Sequence, residues 1–586
     1  MKRPADQPQV DPITLEVLRG QLDAVAEEMQ LIVLKSSHSS IVSESLDATS
    51  ALFDLAGMTT AQAVAIPIHL GVLAELGRRF AAAYPAGVAE PGDVYAINDP
   101  YSGGTHLPDF AVAAPVFFEG ELVGYAVTMT HHQDIGGSVP GSTAVQVFDH
   151  FAEGLRVPLV RLAHAGKRNS DLLELMFANS RTPSNMRGDL NAQIAACNTG
   201  AERAAAVFAR WGRPTVDAGV AALLDYAERL TRHEIAQIPD GDYAFEDFMD
   251  DDGSGPDAEP IRFQVRMSVK GSDIHFDFTG TAPQAKTAIN NVPASTISAV
   301  YYAVRTLTGD AAPNNDGCYR PVTVHLPEGT IVNPRFPAPI NARAVCLRRV
   351  IDTVLGAMAQ AIPDRMTAAH CGQSSLIHVG TLDEETGRRI VATVGGPWMG
   401  GMGARAGKDG IDVTDHDASN VYHMPVETSE AELPLRFQHV ELWPDSGGAG
   451  QWRGGLGYHL AFEWLAGEGA ATVRRDRHKF APWGLRGGRS GPTCQTRMTR
   501  AGEAEAPLAS KGSLTLRPGD RLALWTTGSG GHGDPLARDP DQVLEDVLNG
   551  RVSTAAALEE YGVVIADGRL DRAATVRRRM ELGAAR

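Results

Sequence analysis

Asn98-Asp99-Pro100-Tyr101-Ser102-Gly103-Gly104-Thr105-His106-Leu107-Pro108-Asp109 is one of two stretches on which the reading of this chain turns; the other is His131-His132-Gln133-Asp134-Ile135-Gly136-Gly137. Together they set histidines and aspartates among glycines and prolines, where a chain turns sharply. Imidazole and carboxylate are the ligands that Zn²⁺ and Mn²⁺ take. Each stretch follows a Val- and Tyr-rich segment, Asp93 to Asn98 and Glu121 to Thr130, and both segments read as strands. Strand ends feeding Gly-rich loops give polar groups a rigid mounting. His106 and Asp109 point into one cavity if the Pro-containing turn is tight, and Gly103-Gly104 supplies the backbone freedom. Side chains alternate along a strand, so only one of His131 and His132 can reach the same centre. Asp99 reads as an Asx-Pro turn, and Asp134 as a turn residue or a partner that orients a histidine.

Outward from this window, helical periodicity runs from Pro12 to Lys35, His69 to Tyr84, Asp171 to Arg210 with a break near Pro183, Val220 to His233, Ser295 to Leu307 and Ala344 to Ala361. Short strands are expected at Ala51 to Asp54, Ala63 to Ile66, Ile261 to Val269 and Ile274 to Phe278. From Gly395 the chain is rich in glycine: Gly395 to Gly403, Gly447 to Gly457 and Gly528 to Gly533, before a helical tail from Asp541. The expectation is an α+β (mixed α/β), multi-layer protein, with a helical and mixed-sheet N-terminal part and a β-rich, Gly-rich C-terminal part. Its regions are 1–237 with the metal site, 238–394, and 395–586. A chain of 586 residues is too long for one core. The glycine runs lack GxxxxGK[ST] and any βαβ setting, so tight turns explain them better than phosphate loops do. There is no GxSxG. Cys371 beside His370 reads as a buried thiol rather than a nucleophile.

The formal charge of −18 and the lack of a basic block argue against nucleic acid. Five scattered cysteines without a CxxC suit a reducing compartment. Met1 to Pro12 lacks the apolar stretch of a signal peptide, and no run approaches the roughly 20 apolar residues of a membrane span. A cytoplasmic protein that touches no membrane is expected.

The same residues carry a resemblance. The chain resembles the B (β) subunits of the hydantoinase/oxoprolinase family in Asp11-Pro12-Ile13, Phe53-Asp54, Ile66 to Gly71, the two loops above, Glu153-Gly154-Leu155-Arg156, Gly188 to Gln193, Pro313 to Cys318, Pro425-Val426-Glu427, Asp445 to Gly457 and Gly528 to Pro535. The resemblance implies one Zn²⁺ or Mn²⁺ held by His106, Asp109, His131 and an earlier carboxylate that matches Asp47, with Glu44 one turn away. It implies a separate A (α) subunit of actin-like fold that binds the ATP and phosphorylates the amide oxygen of a small cyclic amide, such as a hydantoin, oxoproline or another lactam. Metal-activated water then opens the ring, with His132 or Asp134 as the group that orients the water or takes its proton. His38 and His69 are weaker candidates nearby. A hetero-oligomer such as (αβ)₂ is the expected assembly. Two alternatives are a subunit of an ATP-dependent ketone carboxylase that uses bicarbonate, and a non-catalytic scaffold whose metal is structural.

Overall fold

The computed structural model describes residues 10–309, 312–395, 399–415 and 419–584, without the side chain of Leu70. Met1 to Gln9 and part of the Gly395–Gly403 run lie outside the described residues.

The N-terminal layer is a seven-stranded antiparallel sheet. Its strands are β1 (Ala48–Phe53), β2 (Thr59–Gln62), β3 (Val94–Ile97), β4 (Asp109–Phe118), β5 (Glu121–His131), β6 (Val160–His164) and β7 (Lys167–Arg168), in the spatial order β2-β1-β5-β4-β3-β6-β7. Helices cover both faces. α1 (Pro12–Ser36), α5 (Pro183–Trp211) and α6 (Arg213–Ile235) lie on one side, with the short α2 (Ser40–Ser43) and α4 (Ser170–Ala178) beside them. α3 (His69–Ala83) lies on the other. β4 shows the division: Phe110, Val112 and Ala114 pack toward α5, while Ala111 and Ala113 pack toward α3. A strand buried on both faces carries no polar alternation, the cue by which a half-exposed strand is read.

A second sheet, β11-β10-β9-β8, comprises β8 (Gly241–Met249), β9 (Ile261–Lys270), β10 (Asp273–Asp277) and β11 (Val322–His325). It packs with α7 (Pro293–Thr308) and the buried α8 (Ala344–Ala361) into the largest core cluster. The C-terminal part stacks two antiparallel sheets. One is β13-β12-β16-β19, with β12 (Ile377–Leu382), β13 (Arg389–Val394), β16 (Gly469–Arg474) and β19 (Lys511–Leu516). The other is β14-β15-β20-β17-β18, with β14 (Leu435–Leu442), β15 (Tyr458–Trp464), β17 (Gln495–Thr499), β18 (Ala506–Pro507) and β20 (Arg521–Trp525). The first of these joins strands from both sides of residue 394. Among the described residues no helix is long and apolar enough to cross a membrane.

The α+β, multi-layer expectation holds. Local details differ. The strand expected at Ala63 to Ile66 lies instead at Thr59–Gln62, because the turn through Gly57 (φ 75°) sets residues 59–62 opposite β1. β4 and β8 had no counterpart among the expected strands. The C-terminal glycines are not chiefly turn residues. Gly454, Gly455 and Gly457 keep ordinary φ angles, but a Cβ on them would lie 2.2, 2.0 and 2.0 Å from the carbonyl oxygens of Ser529, Ile411 and Thr526. These glycines let backbone segments pack face to face, which no other residue permits.

Candidate metal centre

The centre is built on the β4/β5 ladder. Asp109 is the first residue of β4 and His131 the last of β5, and the antiparallel register sets them directly opposite. Facing residues of one pair share a side of the sheet, so their side chains meet. His106 reaches the same point from the loop that enters β4. His106 Nε2 lies 3.0 Å from Asp109 Oδ1 and 3.2 Å from His131 Nδ1, and His131 Nδ1 lies 3.1 Å from the same Asp109 oxygen. All three side chains are buried.

Each is held in place by a named neighbour. His106 Nδ1–H donates to the Asn341 carbonyl at 3.0 Å, which leaves the Nε2 lone pair facing the centre. Asn341 is itself clamped: its backbone N–H donates to Glu153 and its side-chain amide to the Ser142 and Glu153 carbonyls. Asp109 Oδ2 accepts from Arg343 at 3.0 Å and from the Thr105 hydroxyl, so Oδ1 turns to the imidazoles. Burial alone would push the Asp109 carboxyl up, but His106, His131 and the Arg343 guanidinium hold it well below the usual carboxylate range. Burial lowers His106 to about 4 against the pull of Asp109, so the ring stays neutral and its lone pair stays free.

Two imidazole nitrogens and a carboxylate oxygen, mutually 3.0–3.2 Å apart, fit a Zn²⁺ or Mn²⁺ ion. Bonds of about 2.0–2.2 Å place neighbouring donors on one ion about 3 Å apart. His131 Nε2, the ring nitrogen turned away from the triangle, is buried with no hydrogen-bond partner among the described residues. The group opens on a cavity of about 100 Å³ whose wall includes Asp47, His69, Arg343, Arg348, His378 and Arg474. Asp47 lines the same cavity and its backbone carbonyl accepts from His131 N–H at 3.2 Å, but its carboxylate is not among the three donors that converge. Burial pushes its carboxyl up to about 6, against the charge of His131. Glu44 is exposed, so Asp47 is the early carboxylate that the fold brings to the cavity.

His132 and Asp134 do not line the cavity. Strand alternation turns His132 to the other face, where its ring packs edge-on against Phe110 and its Nε2 lies 3.0 Å from Gln193 Oε1. Asp134 organises its loop: it accepts from the backbone N–H groups of Gly136, Gly141 and Arg181, and pairs with the Arg181 guanidinium at 3.0 Å. The catalytic roles expected for these two residues therefore find no geometric support. Asp134→Ala and His132→Ala will each lower unfolding stability, by about 2–4 kcal/mol for the aspartate, while bound metal stays at the wild-type ratio. Denaturant melts beside elemental analysis decide this; loss of metal in a variant that remains folded would return these residues to the site. Asp99 caps the turn Pro100–Ser102, as an Asx turn should. His38 sits over Gly188, away from the cavity wall.

Sequence reading missed Asn341, Arg343, Arg348, His378 and Arg474. The run Arg474-Arg475-Asp476-Arg477 was the available signal, since four consecutive charges after an apolar strand read as solvent-facing, yet all four are buried. A second His–Glu–His group, His439, Glu441 and His459, lies on the outer face of β14 and β15 and is largely exposed.

A family model described as Hydantoinase B/oxoprolinase matches residues 11–535. The B subunit of a putative D-/L-hydantoinase from Pseudomonas sp. (strain NS671) is 34% identical, over 96% of each chain. The crystal structure of an ATP-dependent caprolactamase from Pseudomonas jessenii superposes with a TM-score of 0.90 at 33% identity, covering 98% of this chain and 100% of that one. Nucleotide-free acetone carboxylase superposes at 0.89, covering 98% and 83%, but at 20% identity this likeness is one of fold.

Proposed function

This chain belongs to the hydantoinase B/oxoprolinase family, whose members include ATP-dependent hydrolases of cyclic amides, and on that premise we propose that it is the metal-bearing B (β) subunit of such an amidohydrolase. The observation that carries the proposal is the triangle of His106 Nε2, Asp109 Oδ1 and His131 Nδ1 at the floor of a cavity. These three residues would hold the ion, with Asp47 joining from the wall. A Zn²⁺ or Mn²⁺ ion there supplies Lewis acidity that lowers the pKa of water toward about 7.

The protein groups do the rest. An unactivated amide carbonyl is a poor electrophile. An A subunit of actin-like fold would spend the ATP, phosphorylating the amide oxygen and delivering the activated ring to this cavity. Arg343 and Asn341 keep the Asp109 and His106 donor atoms fixed, so no reorganisation is needed when the substrate arrives. With His132 and Asp134 turned away, His69 is the group we assign to take the proton of the attacking water. It lines the cavity, Thr49 Oγ1 is 2.7 Å from its Nδ1, and burial lowers it to about 4, which keeps the ring neutral. The apolar wall (Ile66, Ile68, Leu347, Val421) excludes bulk water from the ring.

The test is co-expression with an A subunit of the same family, followed by assay of hydantoin, oxoproline and caprolactam. Ring opening that needs ATP, both chains and the metal supports the proposal. ATP-dependent fixation of bicarbonate into a ketone, with no ring opening, would replace it with the carboxylase reading. Full activity in a folded, metal-free His131→Ala complex would leave the chain a scaffold.

A further inference from the structure

The cavity holds a buried cation without an anion. Arg474, the last residue of β16, is 3% exposed. Its Nη2 donates to His378 Nε2 at 2.7 Å, and its Nε has no hydrogen-bond partner among the described residues. Nor, among them, does it form an ion pair, whereas Arg343 pairs with Asp109 and Arg348 with Asp415 on the same wall. The strand register explains the orientation. His378 faces Thr472 across β12/β16, so Arg474, two residues on, presents its guanidinium on the same side of the sheet as His378. Both line the cavity onto which the His106–Asp109–His131 triangle opens. α8 also starts there: Ala344, its first residue, lines the cavity, and no side chain caps its N-terminus. A helix of 18 residues brings partial positive charge to that end.

Burying a guanidinium without a counter-ion costs several kcal/mol, and a neutral imidazole acceptor offsets little of it. The arrangement makes sense if the anion arrives with the ligand. We propose that Arg474, positioned by His378, is the seat for the phosphoryl oxyanion of the activated amide, and thus the residue that selects phosphorylated over unphosphorylated substrate. This rests on reading the cavity as the reaction site. The planar guanidinium suits a phosphoryl group because two parallel N–H donors match two of its oxygens. A carboxylate carried by the ring, or formed when it opens, presents the same oxyanion chemistry, and the experiment separates the two sources.

The experiment is calorimetric titration of the purified, metal-loaded full-length chain with inorganic phosphate and, separately, acetate, in wild type, Arg474→Met and Arg474→Lys. Metal content and thermal midpoint are read on the same samples. The expected result is phosphate binding weakened about 10- to 100-fold in Arg474→Met and less in Arg474→Lys, with acetate little changed. Metal content should match wild type, and the midpoint of Arg474→Met should be equal or higher, because an unpaired buried charge has gone. A structural Arg474 would instead lower the midpoint and leave phosphate affinity alone, which overturns the proposal. Weakening confined to acetate overturns the phosphoryl assignment in favour of a carboxylate. Should wild type bind phosphate through Arg474 while carrying no metal, the metal reading fails and the oxyanion seat stands. Arg474→Lys decides the matter if Arg474→Met does not fold.

Discussion

His106→Ala and His131→Ala proteins, purified after metal-replete expression, will bind zinc or manganese at least about 100-fold more weakly than wild type, and will lose ring-opening activity with their partner by about 1,000-fold or more. The affinity figure follows from what neighbours of ligands are worth: removing a group that merely orients a ligand costs about 10- to 100-fold, and removing the ligand costs more. The activity figure follows from the role proposed for the ion, which would generate the nucleophile at neutral pH. Both variants should fold. Neither ring is a core packing element like His132, and each substitution enlarges a cavity that is already present. Elemental analysis of wild type should give about one equivalent per chain. If both variants retain the wild-type metal content, the triangle is a hydrogen-bonded strand end and the ion sits elsewhere.

The second large effect is on stability. Arg349, on α8, has no solvent exposure. It pairs with Asp247 of β8 at 2.8 Å and with Asp476 at 2.7 Å. Asp476 also meets Lys511 of β19 at 3.2 Å, and Arg477 pairs with Asp352 of α8 at 2.6 Å. These charges tie the α8 layer to the C-terminal sheets. Breaking a buried pair strands the opposite charge, so Arg349→Ala should cost about 3–5 kcal/mol, seen as a lower denaturant midpoint. The pH dependence carries a sign. Burial alone would raise Asp476, but Lys511 and Arg349 hold it well below the usual range. A depressed carboxylate contributes stability above its unfolded pKa of about 3.9 and loses that contribution as pH falls toward its folded value. The gap between wild type and Arg349→Ala should therefore be widest near neutrality and narrow below about pH 4. A gap independent of pH would mean that lost packing, not charge, sets the cost.

Distance along the chain separates what was legible in the residues from what was not. α1 and α8 could be bounded from periodicity because helical hydrogen bonds are local, and α1 also carries a side-chain cap at its start, Asp11. His106, Asp109 and His131 were legible because they lie within 26 residues on one β-hairpin and its entry loop. The alternation that separates His131 from His132 is a property of any strand. β4 was not legible, because helices on both faces removed the polar half of its pattern.

The rest of the site was decided by tertiary structure alone. Asn341 reaches His106 across 235 positions, Arg343 reaches Asp109 across 234, and Arg474 meets His378 across 96. A lone arginine in a sequence reads as solvated, because burying it is unfavourable until a partner is known. Here the partners come from another layer, as Asp109 does for Arg343, or from a strand of the same sheet that is distant in sequence, as His378 does for Arg474. Local pattern determined the layered α+β architecture and the hairpin that brings His106, Asp109 and His131 together, and the order of the motifs carried the resemblance to the family. Packing of the second and third sheets against the first decided which charges are buried and which face the cavity. Long-range neighbours set the free energy of a buried charge, and that information does not exist along the chain.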